Sequence, residues 1–170
     1  MSWDHSGEAA ELLRRAAKEP LVPHGERRRG PFLDRAAIQT RLPHRDPFLF
    51  VDEVTRLDLE RGIVVARYDL NRAAAVLAGH FPQRPVWPGV LQVEAIAQAG
   101  AILHLAQAQE PALADMALTH ILGARFVRAV TPGDDLEIIA QVLADGLLVT
   151  IVGQCLQYDA VCSAAAVAIL

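Results

Sequence analysis

VWPGVLQVEAIAQAGAILHLAQA, residues 86–108, is the most apolar stretch of the chain and the one whose reading decides the fold. It is long enough to cross a bilayer, since about 20 apolar residues suffice. Yet Gln92, Glu94, Gln98, His104 and Gln107 interrupt it, and a carboxylate near the middle of a membrane span is expensive. The stretch therefore reads as one buried helix over 90–107, with Pro88 near its first turn, where the missing N–H costs nothing. Such a helix is apolar on nearly every side and has to be surrounded by protein.

Outward from that helix, the flanks are rich in β-formers. Upstream, 48–59 and 63–70 predict two strands joined by a turn at Glu60-Arg61-Gly62, and 71–88, dense in Pro and Gly, predicts a loop. Downstream, 121–130, 136–143, 147–158 and 161–170 predict strands. The turns between them are Thr131-Pro132-Gly133-Asp134, Asp145-Gly146 and Asp159-Ala160. Short strands with tight connections imply an antiparallel meander. The expected class is α+β: an antiparallel β-sheet wrapped around a long central helix.

Residues 32–170 form the expected domain, and 1–31 read as an N-terminal extension. Ala9, Leu12, Leu13, Ala16 and Ala17 have the spacing of one helical face. Pro20, Pro23, Gly25 and the run Arg27-Arg28-Arg29 then break any regular pattern. Composition favours a solvated, partly ordered tail over a helix that docks a partner subunit.

The formal charge of -4 speaks against non-specific nucleic-acid binding, which needs a basic surface. The first ten residues lack the apolar core of a secretory signal, so no leader is expected. Cys155 and Cys162 suit neither a disulfide framework nor a zinc site, which points to a reducing cytoplasm. No membrane span is expected.

Ionisable groups in apolar surroundings carry the functional signal. Glu94 lies among Val93, Ala95, Ile96 and Ala97, and a carboxylate there needs a partner or a task. A structural carboxylate paired with an arginine and a reactive carboxylate are both open. Gln98, one turn on, is placed to orient it. His80 stands in Gly79-His80-Phe81-Pro82, a loop restrained by Pro82, Pro85 and Pro88. Histidine titrates nearest neutrality of all side chains, which suits a general base, although a lone loop histidine is more often polar surface. Gly89 opens the helix, where backbone N–H groups are unpaired, and its N–H suits a developing oxyanion.

Four segments carry a resemblance to a known family: LPHRDPFLFVD (42–52), GHFPQRPVWPGVL (79–91), EAIAQ (94–98) and ARFVRAVTPGD (124–134). In order and spacing they resemble the β-hydroxyacyl-carrier-protein dehydratases of type II fatty acid synthesis, the FabZ family, over about residues 36–170. The resemblance implies a hot-dog fold, with His80 and Glu94 as the catalytic pair and the Gly89 N–H facing the thioester carbonyl. It also implies that His80 of one subunit works with Glu94 of another in a homodimer, with a trimer of dimers as the larger assembly. Glutamate at 94 sets the chain apart from the related dehydratase/isomerase type, which has aspartate there. Gln83, Trp87 and Asp46 depart from the family pattern, and Trp87 is expected to reshape the pocket mouth.

The expected reaction is loss of water from a (3R)-hydroxyacyl thioester, giving a trans-2-enoyl thioester, with no metal or organic cofactor. Gly89, Gln98, Phe81, Trp87 and Val90 are the expected substrate-binding residues. An acyl carrier protein is the expected partner, docked by Arg84, Arg125 and Arg128, each of which also reads as an ordinary surface charge. His44 and Arg45 read as loop supports. A hot-dog thioesterase, in which Glu94 activates water or attacks the acyl group, and a non-catalytic acyl-binding or dimerisation partner are the competing functions.

Overall fold

The computed structural model describes residues 7–28, 32–112, 117–145 and 148–170. Three short helices precede the sheet: α1 (Glu8–Ala16), α2 (His24–Arg27) and α3 (Arg35–Gln39). Strands β1 (Glu53–Asp58) and β2 (Ile63–Tyr68) follow, then a 3₁₀ turn at Leu70–Ala73, α4 (Ala74–Gly79) and the long helix α5 (Gly89–Ala108). The chain ends with β3 (Leu118–Phe126), β4 (Leu136–Asp145), β5 (Leu148–Gln157) and β6 (Ala160–Ile169). Among the described residues these strands make one antiparallel sheet in the order β1-β2-β4-β5-β6-β3.

The sheet wraps α5, which is the expected hot-dog architecture. By length and composition α5 could cross a membrane, but most of it is buried inside the protein. Ala95, Ile96, Ala99, Ala101, Ile102 and Leu103 pack on inward-facing Val64, Ala66, Ile138, Ala140, Ile151 and Ala165. Small residues set how close helix and sheet come. A Cβ on Gly100 would stand 2.5 Å from Ile151 Cγ2, and one on Gly153 would stand 2.6 Å from Ile96 Cγ2.

Three expectations need correction. The segment 71–88 is not all loop: Asp69 Oδ1 accepts from the Asn71 N–H at 2.9 Å, and the alanine-rich stretch that follows winds into α4. The first strand begins at Glu53, not at 48, because Leu49, Phe50 and Val51 form a buried approach to the sheet. The final strands are not a simple meander either. β4, β5 and β6 are consecutive neighbours, but β3 crosses to the far edge and pairs with β6. Thr131, on the return path, is clamped by Gln157, whose Nε2 donates to its carbonyl at 2.7 Å and whose Oε1 accepts from its N–H at 3.1 Å. The Asp145-Gly146 turn falls partly outside the described residues.

Residues 8–28 are helical in part, as their spacing implied, but they are not a solvated tail. They form a strap over the outer face of the sheet. That face is itself apolar, with Ile63, Val65, Ile139, Leu156 and Ala164 under Ala16, Leu21 and Val22. Polar contacts fix the register. Buried Gln154 accepts from Leu21 N (2.5 Å) and donates to Ala16 O (2.6 Å) and Glu19 O (3.1 Å). Arg27, 1% exposed, pairs through Nη1 with Glu137 (2.8 Å) and Asp159 (2.5 Å) while its Nε donates to Val22 O.

Candidate active site

His80 follows α4 directly, and its ring is oriented by one backbone contact: Nδ1 lies 2.7 Å from Val86 O. A carbonyl only accepts, so Nδ1 carries the proton and Nε2 keeps its lone pair. The loop is tied to itself at the same point, since Val86 N donates to His80 O at 2.8 Å. A base with a fixed tautomer and an open Nε2 results. Phe81 stacks on the imidazole with centroids 4.1 Å apart and is itself exposed.

His80 and Gly89 share a cavity of about 380 Å³, with Val90, Gln92, Phe126 and Arg128 among its other walls. Gly89 is the first residue of α5, so its N–H has no intrahelical acceptor. The glycine also answers a packing need: an added Cβ would lie 2.6 Å from the Phe126 ring. Val90 is 69% exposed at this opening, and Phe126 and Val127 on the β3 side are exposed as well.

Glu94 is not among the residues lining that cavity. Its carboxylate meets two donors at the same oxygen. Gln98 Nε2 donates to Oε1 at 2.9 Å, and His44 Nε2 lies 3.3 Å from it. Burial by itself would raise the Glu94 pKa. The hydrogen bonds from His44 and Gln98, with the charge His44 can carry, outweigh it and hold the carboxyl below its ordinary value. No arginine pairs with Glu94 among the described residues, so the structural ion pair considered from sequence is not formed.

Two expected substrate contacts prove to be buried. Gln98 is fully buried and its amide is used up by protein: Oε1 accepts from Phe50 N (2.8 Å), and Nε2 donates to Phe48 O (2.9 Å) as well as to Glu94. It orients the carboxylate and touches no open space. Trp87 is among the residues lining the His80 cavity, but its indole is not exposed there. It is fully buried, stacked on Tyr68 (5.6 Å) and edge-on to Phe50 (5.5 Å), because an apolar ring of that size gains most in the core. Burial also pushes the Tyr68 hydroxyl up to about 12.

Arg84, Arg125 and Arg128 are all exposed, and none is in an ion pair among the described residues. Arg128 borders the His80 cavity and Arg125 lies on β3, near its edge. His44, read from the sequence as a loop support, lies against Glu94. Its block of motif was noticed, but nothing in the spacing said that it meets a carboxylate 50 positions away.

A family model for the FabA-like domain matches residues 42–162. The chain belongs to the FabA-like family. This FabZ-like chain is 43% identical over 103 residues to the 3-hydroxyacyl-[acyl-carrier-protein] dehydratase FabZ of Xanthomonas euvesicatoria pv. vesicatoria (strain 85-10), spanning 60% of this chain and 68% of that protein. It is 41% identical over 117 residues to the protein of the same name from Anaeromyxobacter sp. (strain K), spanning 67% and 74%. Among solved structures it is similar to the dehydratase heterocomplex ApeI:P from Xenorhabdus doucetiae. There the TM-score is 0.60 at 24% identity, with 84% of this chain and 91% of that chain covered. A mutant of the thioesterase PA1618 from Pseudomonas aeruginosa gives 0.56 at 12% identity, with 85% and 96% covered. At such identities the structural likeness speaks for the FabZ-like fold alone. The strap over the sheet lies outside the matched segment.

Proposed function

We propose that this FabZ-like chain removes water from (3R)-hydroxyacyl thioesters carried on an acyl carrier protein, in the cytoplasm, as part of acyl-chain biosynthesis. His80 Nε2 takes the α-proton while the Gly89 N–H stabilises charge developing on the thioester oxygen. As the C3–O bond breaks, the hydroxyl leaves with the proton that His80 has taken, relayed through a water held on the Glu94 carboxylate. The observation that carries this reading is the His80 ring, whose Nδ1–H is pinned on Val86 O so that a lone pair is available in the cavity that Gly89 borders. The relatives named FabZ dehydratases support the same substrate class.

The active unit is a homodimer with sites shared between subunits. Two features support it: Glu94 is not among the residues lining the His80 cavity, and β3 is an edge strand with Ile121, Leu122 and Phe126 exposed. A long apolar edge invites pairing with a second copy. Arg84, Arg125 and Arg128 dock the acidic carrier, steering it over a screening length of about 10 Å at 0.1 M salt.

Mass spectrometry of hydroxyacyl-carrier-protein substrates of several chain lengths tests the proposal, looking for loss of one water. His80→Ala and Glu94→Gln should each lose most turnover, and the double variant little more, since paired groups act as a unit. Co-refolded mixtures of the two single variants should regain part of the activity. Release of free carrier thiol without an enoyl product would favour thioesterase chemistry instead, and near-normal dehydration by either single variant would refute the assignment.

A further inference from the structure

Resting on the dehydratase reading, the geometry points to His44 as a positioning residue that decides which oxygen of Glu94 meets the reactants. Both protein donors converge on Oε1, and among the described residues none donates to Oε2. With Gln98 and His44 both on the Oε1 side, Oε2 is the oxygen left to face the reactants. A carboxylate free to rotate would offer either oxygen and lose that order.

The loop that supplies His44 is built to keep it there. Arg45 Nη1 donates to Leu42 O (2.8 Å) and to His44 O (2.7 Å), while Phe48 N donates to Arg45 O (2.7 Å). The imidazole lies parallel to the Phe48 ring, with centroids 6.4 Å apart. Phe48 O and Phe50 N then grip the Gln98 amide. One loop thus supplies one donor to Oε1 directly and fixes the other through Gln98.

The remaining nitrogen of His44 is telling. Nδ1 is buried and has no hydrogen-bond partner. A buried unpaired polar atom is a standing cost that a support for the loop would not need, because phenylalanine or leucine would fill the space without it. The opposite nitrogen is the one that makes a polar contact. Nε2 lies 3.3 Å from Glu94 Oε1, close enough to act on it as a donor.

Three substitutions separate this role from a structural one. His44→Phe keeps the ring over Phe48 and removes the donor, whereas His44→Gln keeps an N–H within reach. His44→Met, also without a donor, replaces the Phe variant if that one does not fold. The donorless variant should melt near the wild type yet lose roughly 10- to 100-fold in kcat, the scale of one charge-assisted hydrogen bond, with KM little changed. His44→Gln should recover much of the loss.

A second readout does not depend on turnover. The groups facing Glu94 are His44 from the loop and Gln98 from α5, so in the donorless variant its carboxyl should titrate at higher pH, followed by NMR of 13C-labelled glutamate. If the wild type dehydrates and the donorless variant keeps its kcat, or if Glu94 titrates unchanged, the role is refuted. A wild-type protein that dehydrates no hydroxyacyl thioester overturns the functional reading, and this role with it.

Discussion

Gly153 sits where α5 presses closest to the sheet, and replacing it with alanine measures how firmly the helix is gripped. The new Cβ would lie 2.6 Å from Ile96 Cγ2, 2.7 Å from Ile139 O and 3.2 Å from Ala140 Cα. Carbon atoms pack comfortably at about 3.5–4.0 Å, so the overlap approaches 1 Å on two sides at once. Ile96 can shift only with its helix, and Ile139 O and Ala140 Cα belong to β4, paired with β5 through this region. Overpacking of this kind costs about 1–3 kcal/mol, and the rigid backbone atoms place Gly153→Ala in the upper half of that range. Loss of glycine freedom in the unfolded chain offsets about 0.4–1 kcal/mol. The net loss is about 1–2.5 kcal/mol, which for a chain of this size lowers Tm by roughly 2–10 °C. Urea and thermal unfolding followed by far-UV circular dichroism read it directly. Gly25→Ala is the control, because a Cβ there meets nothing within 4 Å and the residue is helical, so stability should hold or rise. A Gly153→Ala protein as stable as the wild type would show that the helix-to-sheet spacing is not set at this glycine.

Two further outcomes follow from the strap and the site. Arg27→Ala leaves Glu137 without its buried partner and should cost roughly 3 kcal/mol, the lower end for breaking such a pair, because Glu137 keeps some contact with water. Adding Glu137→Gln should return part of the loss in urea unfolding, and a double variant as weak as the sum of both would contradict the pairing. Glu94 titrates lower in the folded state than unfolded, so its contacts contribute stability above about pH 4.5 that disappears as pH falls through the native value. Unfolding free energy of Glu94→Gln should therefore fall less steeply on acidification than that of the wild type, and parallel slopes would disprove the linkage.

How much was legible in the sequence depended on how local each signal was. The long helix was readable to within a residue at each end, because a segment apolar on all sides has one physical solution. Strands β5 and β6 were readable because Tyr158 and Asp159 take the left-handed turn conformation that joins the two. The place of β3 was not, since nothing near residues 118–126 says that their partner is β6. Helix α4 was hidden by the prolines that follow it. At the site, His80, Gly89 and Glu94 stood out in the sequence because motif and chemistry agreed. Gln98 was seen correctly as an orienting group and wrongly as a substrate contact, a distinction that burial alone decides. The burial of Trp87 and the reach of His44 to Glu94 both arise from tertiary packing, which leaves no mark on neighbouring residues.

The strap also orders events in time. Its bonds to Gln154 join Leu21 and Ala16 to a residue 133 and 138 positions later. Closing loops of that length is slow compared with forming a hairpin, and the receiving surface does not exist until β5 and β6 have paired. A segment made before the whole of the sheet is thus among the last to find its place. Until then Leu21 and Val22 stay uncovered on one side and Ile139, Leu156 and Ala164 on the other, two apolar surfaces of the same chain waiting for each other.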